Sequence, residues 1–129
     1  MKLCEMSIHD LITVDYACGC GRHHHMAIDH LAIGKSAVNK LTEFLGEQKL
    51  KDGTALSKED KIYVIADVHT WPVAGEVVYD LVKAAGYPVE YYIFPHEEMH
   101  TNEIFIGELQ DVMPKDVKLA IAVGSGTIN

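Results

Sequence analysis

The chain has 129 residues, of which 48% are hydrophobic and 23% charged, so it can bury an ordinary core and is not disordered in composition. Its 11 Lys and Arg against 19 Asp and Glu give a formal net charge of −8, which argues against nucleic acid and anionic membranes as partners. No run of residues resembles a transmembrane helix or the apolar core of a signal peptide. We therefore expect a cytoplasmic protein with a single globular domain.

The N-terminal segment, residues 1–33, predicts a β-hairpin. Residues 11–16 and 26–33 have the aliphatic and β-branched composition of strands. Between them lies the run Cys18-Gly19-Cys20-Gly21-Arg22-His23-His24-His25, whose two glycines are typical of a turn.

Cys18, Cys20 and His23 in this run are also candidate zinc ligands, because thiolates and imidazole suit tetrahedral Zn²⁺. Cys4 or His9 is then the candidate fourth ligand. The Cys-x-Cys spacing is tighter than that of most structural zinc sites, and strand alternation sends neighbouring histidines to opposite faces. The sequence therefore favours a glycine-built turn that holds two thiols, with zinc as the alternative.

The rest of the chain, residues 34–129, begins with the pattern of an amphipathic helix. Ser36 is a candidate cap, and the apolar positions at helical spacing are Ala37, Val38, Leu41, Phe44 and Leu45. Residues 48–60 are charged and lack a period, which predicts an exposed loop. Residues 61–67 predict a strand that is apolar on both faces, as in a parallel sheet covered by helices.

A second helix and strand follow. Thr70 and Pro72 carry the signals of a helix start, and Gly86 and Pro88 those of a helix end. The predicted buried stripe of this helix is Val77, Val78, Leu81, Val82 and Ala85. Residues 89–94 predict the next strand.

A third helix and a last strand complete the pattern. Thr101 is the predicted cap of the helix and Pro114 its end, and the apolar positions between them are Ile104, Phe105, Leu109 and Val112. Residues 117–123 predict the last strand. The order of elements predicts an α/β fold: a Rossmann-like three-layer domain with a mostly parallel sheet, preceded by the N-terminal β-hairpin.

The candidate site follows from this fold, because open α/β sheets bind ligands beyond the carboxyl ends of their strands. Asp67 ends the first parallel strand and is either an acceptor for ribose hydroxyls or a helix-entry aspartate. Phe94 and the following Pro-His-Glu either wall an adenine pocket or form a surface loop. Gly124-Ser125-Gly126-Thr127 follows the last strand and is the candidate phosphate-binding turn, although it is neither a Walker motif nor a Gly-x-Gly-x-x-Gly fingerprint.

The run Ala120-Ile121-Ala122-Val123-Gly124-Ser125-Gly126-Thr127-Ile128-Asn129, with Asp67 and Thr70 at the earlier strand end, resembles the sn-glycerol-1-phosphate dehydrogenase family. That family includes the AraM-like proteins and belongs to the iron-containing alcohol dehydrogenase and dehydroquinate synthase superfamily. The Gly-Ser-Gly-Thr-Ile-Asn element is specific, since other branches typically carry Gly-Gly-Gly-Ser. The resemblance covers residues 33–129 and corresponds to the N-terminal part of a family member.

The resemblance implies a dinucleotide-binding domain that takes NAD or NADP. Asp67 would hold the adenosine ribose, and Gly124, Ser125, Gly126 and Thr127 would surround the pyrophosphate. Thr70 and Phe94 are the other cofactor-binding candidates. Family members reduce dihydroxyacetone phosphate to sn-glycerol 1-phosphate in phospholipid metabolism. The partners implied are the nucleotide and a phosphorylated substrate, with homo-oligomerisation left open.

Family members also use a divalent metal held by an Asp and two His in a C-terminal helical domain. We expect that domain to be missing from this chain, so residues 34–129 would be a truncated dinucleotide-binding domain with no catalytic residue of its own and no dehydrogenase activity in isolation. Two other functions stay open: a small Cys/His metal-binding module, and a stand-alone α/β binding domain without enzymatic activity.

Overall fold

The structure, a computed structural model, describes residues 5–128 and consists of two units, Met1–Ala37 and Val38–Asn129. The sequence placed this boundary after residue 33. Each unit is described by itself below. Cys4, one of the candidate zinc ligands, lies outside the described residues.

The first unit contains one short helix and a hairpin. Helix α1 is Ile8–Thr13, and Ser7 caps it by accepting a hydrogen bond from the backbone N–H of Asp10 at 3.1 Å. Strands β1, Asp15–Ala17, and β2, His23–His25, pair antiparallel.

The predicted hairpin is thus confirmed, but its strands are placed differently. Residues 11–13 are helical because the Ser7 cap, with an acidic residue in the first turn, starts a helix there. Residues 26–33 form no strand. Each observed strand has only three residues, directly flanking the glycine turn.

The second unit begins with helix α2, Leu41–Glu47, preceded by a 3₁₀ turn at Ala37–Lys40. The predicted cap at Ser36 is wrong, because the residue that precedes α2 is Lys40 and no side chain caps the helix. Residues 48–60 form the expected loop, but Leu56 within it is buried, and its N–H donates to the carbonyl oxygen of Gln48.

A three-stranded parallel sheet forms the centre of this unit. Its strands are β3, Lys61–Asp67, β4, Val89–Phe94, and β5, Val117–Ala122, with β3 between the other two. Both faces of β3 are buried, as its apolar run predicts.

Helices cover the two faces of the sheet and give the predicted three layers. Helix α3, Glu76–Ala84, packs Val78 and Val82 in one core with the β3 side chains of Ile62, Val64 and Ala66. Helix α4, Glu103–Val112, packs Phe105 and Leu109 in a second core with Tyr63 and Ile65. The Rossmann-like α/β prediction is therefore confirmed.

Some predicted details of these helices are wrong. The side chain of Val77 is 49% exposed, so this residue does not belong to the predicted buried stripe of α3. The cap of α4 is Asn102 and not Thr101, because the Asn102 side chain accepts from two N–H groups of the first turn. Gly86 ends α3 as predicted, with a φ of +87° that favours glycine.

The turn that leads into α3 is wider than an α-helical turn. Trp71–Gly75 is π-helical, and the indole of Trp71 lies over Gly75, where a Cβ would come within 2.7 Å of the ring. The same indole stacks on Tyr91 at 4.5 Å. A glycine is therefore needed at this position. Within the part of the chain that the structure describes, no helix is both long and apolar enough to cross a membrane.

Candidate functional site

The order of the strands fixes where a ligand crevice lies. The chain leaves β3 for β4 on one side of the sheet and later crosses to β5 on the other side. The topological switch point is therefore between the carboxyl ends of β3 and β5, which is where open α/β sheets bind nucleotides. Asp67 ends β3 and the Gly124-Ser125-Gly126-Thr127 turn follows β5, so the fold brings both predicted elements to this edge.

Asp67 and Thr70 bind each other at the end of β3. The Oδ1 atom of Asp67 accepts hydrogen bonds from the N–H groups of Thr70 at 2.7 Å and His69 at 2.9 Å. The hydroxyl oxygen of Thr70 accepts in return from the N–H of Asp67 at 3.0 Å. Asp67 is therefore a helix-entry aspartate, one of its two predicted roles, and Thr70 supports the turn instead of capping a helix with its side chain.

The second carboxylate oxygen of Asp67 makes no hydrogen bond to any described residue. Partial burial acts to raise the pKa of this carboxyl, but the hydrogen bonds from Thr70 and His69 outweigh it and hold the pKa below its usual value. Asp67 is thus a charged acceptor at neutral pH with one free oxygen. Its ribose-binding role stays a prediction.

The turn after β5 exposes backbone N–H groups. Val123 still belongs to the sheet edge, since its N–H donates to the carbonyl oxygen of Ile65 at 2.8 Å. Beyond it, the N–H groups of Ser125, Gly126 and Thr127 donate to no acceptor among the described residues, and all three residues are exposed. Successive unpaired N–H groups in a turn form a concavity that binds anions.

The two glycines of this turn have different surroundings. A Cβ on Gly124 would lie 2.9 Å from Cγ1 of Ile128 and 3.6 Å from Cγ2 of Thr70, so Gly124 lets the turn pack against the loop after β3. A Cβ on Gly126 would meet nothing within 4 Å. Gly126 is thus not required by protein packing, and its missing side chain leaves open space above the backbone.

Hydrogen bonds join the three loops at this edge of the sheet. The Nε2 atom of His69, after β3, lies 3.1 Å from the carbonyl oxygen of Glu97, after β4. The hydroxyl of Thr101 donates to the carbonyl oxygen of Thr127 at 3.3 Å. These contacts place the loops around one crevice, and the sequence pattern contains no signal for them because the paired residues are far apart in the chain.

An apolar groove of about 280 Å³ lies beside the glycine turn, on the α4 side of the sheet. Phe94 belongs to its floor: the ring is 4% exposed and packs edge-on against Tyr92 and Phe105. Phe94 therefore lines the groove from the core side, and its role beside an adenine stays a prediction. The full lining is Ile65, Phe94, Met99, His100, Thr101, Phe105, Ile106, Leu109, Thr127 and Ile128.

A polar cluster fastens the loop after β4 to α4. The hydroxyl of Tyr92 donates to Oε1 of Glu108 at 2.5 Å, and Oε2 of Glu108 lies 2.8 Å from Nε2 of His96. The hydrogen bond to Glu108 is the main cause that raises the pKa of Tyr92 to about 12, and hydrogen bonds from Tyr92 and His96 lower the pKa of Glu108. His96 is therefore engaged with α4 and is not a free base in the crevice.

The hairpin of the first unit gathers a different set of groups. Cys18, Cys20 and His24 offer ligand atoms that all lie within 4.8 Å of one another. His23, the predicted third zinc ligand, instead places its Nδ1 3.0 Å from the carboxylate of Asp15. This corrects the sequence prediction: alternation along β2 turns His24, not His23, toward the thiols. Hydrogen bonds from the backbone and then the side chain of Cys20 lower the pKa of the Cys18 thiol.

Comparison with known proteins finds two that bear the name of the family that the glycine turn resembles. The glycerol-1-phosphate dehydrogenase [NAD(P)+] of Halalkalibacterium halodurans is 34% identical over 116 residues, which are 87% of this chain and 27% of that protein. The protein of the same name from Geobacillus stearothermophilus is 22% identical over 131 positions, 97% of this chain and 30% of that protein. No family model and no solved structure matches.

The chain thus spans less than a third of the length of the curated relatives it matches. The matches agree with the family that the Gly124-Ser125-Gly126-Thr127 run indicated, and the resemblance is confirmed. Over most of its own length, the chain is thus similar to a part of two glycerol-1-phosphate dehydrogenases.

Proposed function

We propose that this chain carries the NAD(P)-binding portion of a glycerol-1-phosphate dehydrogenase-like oxidoreductase. The observation that carries the proposal is the row of N–H groups at Ser125, Gly126 and Thr127, which find no acceptor among residues 5–128, at the switch point of a parallel sheet. Backbone amides bind a pyrophosphate without any basic side chain, which suits a chain with a net charge of −8.

In this proposal, the parts of a dinucleotide occupy three places beyond the carboxyl ends of the strands. The pyrophosphate would rest on the amides of the glycine turn, where Gly126 leaves room for close approach. The free oxygen of Asp67 would accept from ribose hydroxyls. The groove above Phe94 is smaller than the roughly 300–1,000 Å³ of pockets for drug-sized ligands, so it suits one ring of the cofactor and not the whole molecule.

The charge of Asp67 favours NAD over NADP in this proposal. Its lowered pKa keeps the carboxylate ionised at neutral pH. An ionised carboxylate accepts hydrogen bonds from the 2′-hydroxyl of NAD but repels the 2′-phosphate of NADP. We therefore expect tighter binding of NAD.

The substrate proposed for the whole enzyme is dihydroxyacetone phosphate, reduced to sn-glycerol 1-phosphate by hydride from the nicotinamide. A divalent metal, when bound, would polarise the substrate oxygen. Among the described residues the one cluster of three or more metal-ligating side chains is Cys18, Cys20 and His24, with no set of an Asp and two His. We propose that the catalytic metal and the chemistry of the whole enzyme depend on other residues, and we expect the 129-residue chain alone to be inactive.

The proposed location is the cytoplasm. Cys18 and Cys20, the cysteines that the structure describes, are free thiols, which suits a reducing compartment. Homo-oligomerisation of the whole enzyme stays open.

Isothermal titration calorimetry of the chain with NADH and NADPH tests the proposal. We expect both cofactors to bind, NADH more tightly, and the Gly126→Ala variant to bind neither well. Absence of heat for both cofactors with the folded wild-type chain would contradict the proposal. Turnover of dihydroxyacetone phosphate by the isolated chain would contradict the expectation that the chemistry lies elsewhere.

A further inference from the structure

The N-terminal hairpin brings two thiols and one imidazole to the same side of a short turn. Cys18 and Cys20 lie in the turn between β1 and β2, and His24 is the central residue of β2. The Sγ atom of Cys20 is 3.1 Å from Nε2 of His24, and all three ligand atoms lie within 4.8 Å of one another. In a zinc tetrahedron with ordinary bond lengths, such atoms are about 3.5–3.8 Å apart. Small side-chain rotations therefore convert the observed cluster into three corners of a zinc site.

Backbone hydrogen bonds hold the turn in this shape. The N–H of Cys18 donates to the carbonyl oxygen of Arg22 at 2.8 Å, and the N–H of Gly21 donates to the carbonyl oxygen of Cys18 at 3.0 Å. Gly21 has a φ of +82°, which a residue with a side chain rarely adopts. The thiols are thus presented by a hydrogen-bonded turn.

The position of the His24 ring is also set. His24 lies opposite Tyr16 in the hairpin register, and the two rings stack with centroids 5.7 Å apart. Its neighbour His23 is directed to Asp15 instead. Of the three consecutive histidines, His24 is therefore the one grouped with both thiols. A metal bound nonspecifically by a histidine run would not distinguish His24 from His23.

The first unit lacks the core that would otherwise hold it together. Among its described residues, 5–37, none is buried, and each strand of the hairpin has three residues. A two-stranded hairpin of this kind is at best marginally stable in water, and units below about 40 residues usually need a metal, a disulfide or association to fold. Binding of a metal by side chains that meet only in the folded hairpin would supply that free energy.

We propose that Cys18 Sγ, Cys20 Sγ and His24 Nε2 bind one zinc ion, with a solvent molecule in the fourth position, and that this ion stabilises the N-terminal hairpin. Two sulfur ligands and one imidazole select zinc over magnesium and calcium, which prefer oxygen ligands. None of these three residues is among those of the proposed nucleotide site, so this proposal does not depend on the proposed function.

Metal analysis of the whole 129-residue chain tests this proposal. The chain would be purified under reducing conditions with zinc present, passed through gel filtration, and assayed for zinc by mass spectrometry. The variants are Cys20→Ser and His24→Gln, and the matched control is His23→Gln, the same substitution one residue away. We expect one zinc per chain in the wild type and in His23→Gln, and at least about tenfold weaker zinc binding in the other two.

Cobalt and hydrogen exchange give readouts that are independent of zinc retention. Co²⁺ added to the metal-free chain should produce thiolate-to-cobalt charge-transfer absorption in the wild type and in His23→Gln, and much less in Cys20→Ser. Removal of zinc should speed amide exchange at Tyr16 and His24 but not in β3.

Three results would overturn the proposal. The first is a reduced wild-type chain that binds no stoichiometric zinc and gives no cobalt charge-transfer band. The second is equal loss of zinc in His23→Gln and His24→Gln, which would indicate nonspecific binding by the histidine run. The third is a chain that is isolated from the cytoplasm with a Cys18–Cys20 disulfide and without the metal, as shown by mass spectrometry.

Discussion

Asp67 and Thr70 make reciprocal hydrogen bonds at the end of the central strand: the Asp67 carboxylate accepts from the Thr70 N–H, and the Thr70 hydroxyl oxygen accepts from the Asp67 N–H. This pair shapes the loop that faces the glycine turn, because the methyl group of Thr70 lies next to Gly124. Within the described part of the chain only Oδ1 of Asp67 accepts hydrogen bonds, which leaves Oδ2 for the proposed ligand. The structural and the ligand-binding roles of Asp67 are therefore compatible.

Asp67→Asn separates these two roles. An amide oxygen can still accept from Thr70 and His69, so we expect the fold to be retained, while the negative charge is lost. NADH affinity should fall about tenfold, as for loss of a hydrogen bond to a charged group, and NADPH affinity should fall less because the repulsion is also lost. Calorimetric titration with both cofactors measures the ratio of the two affinities.

Asp52→Asn is the matched control for that experiment. Asp52 accepts from the N–H and the hydroxyl of Thr54 in a similar turn, and it is near Lys118 at the start of β5, at the opposite edge of the sheet. It should leave both affinities unchanged. An equal loss of affinity for NADH and NADPH in Asp67→Asn would show that the carboxylate does not bind the ribose.

Gly126→Ala tests close approach to the turn. Its φ is not in the left-handed region and its Cβ would meet no protein atom within 4 Å, so stability should change by less than about 0.5 kcal/mol. Cofactor affinity should nevertheless fall at least about tenfold, because a methyl group would occupy space that the pyrophosphate needs.

Gly107→Ala provides the control, since it is the same substitution in helix α4 with equally open surroundings. It should raise the free energy of unfolding by about 0.5–1 kcal/mol and leave binding unchanged. If Gly126→Ala binds NADH as tightly as Gly107→Ala does, the glycine turn does not contact the cofactor.

Two valines on α3 test the packing of this helix. Val82 is fully buried against the sheet, whereas Val77 is half exposed. Val82→Ala should lower the free energy of unfolding by about 2 kcal/mol, because two methyl groups are lost from a packed core. Val77→Ala should change it by less than about 0.5 kcal/mol. Urea denaturation measures both, and similar values for the two variants would show that α3 presents a different face to the sheet.

The bond between Tyr92 and Glu108 predicts a loss of stability at alkaline pH. The pKa of Tyr92 rises from 10.0 to about 12 on folding, so its contribution is complete below pH 10 and is lost as the pH rises through about 12. Comparison of the wild type with Tyr92→Phe isolates this group. The difference in unfolding free energy should be constant below pH 10 and shrink above it; a difference that does not change with pH would contradict the hydrogen bond.

Glu108 predicts a loss of stability at acid pH. Its pKa is lowered in the folded state by Tyr92 and His96, so its contribution is complete above the ordinary carboxyl pKa and is lost as the pH falls through the lowered value. Glu108→Gln keeps an acceptor for Tyr92 but loses the charge. At acid pH, the free energy of unfolding of this variant should therefore change less with pH than that of the wild type.

Much of the α/β unit was predictable from local patterns. The run from Lys61 to Asp67 is apolar on both faces, which indicates a central parallel strand, and Gly86 and Pro114 mark where helices stop. The residues that follow β3 and β5 could therefore be placed at one edge of the sheet before their contacts were known.

Other features depend on contacts that local patterns do not contain. The sequence does not distinguish His23 from His24, because only the pairing of His24 with Tyr16 decides which imidazole faces the thiols. It leaves open whether Phe94 walls a pocket or belongs to a surface loop, because only the packing of α4 on the sheet buries this ring. The bond from Thr101 to Thr127 joins residues 26 positions apart and has no sequence signature.

Titration of the ¹⁵N-labelled chain with NADH, followed by amide chemical shifts, tests the central claim most directly. The account predicts saturable shifts at Ser125, Gly126 and Thr127 and in the loop after Asp67, at concentrations below about 1 mM, and their loss in Gly126→Ala. Absence of shifts in the folded chain, or shifts confined to residues away from the carboxyl ends of β3 and β5, would contradict it.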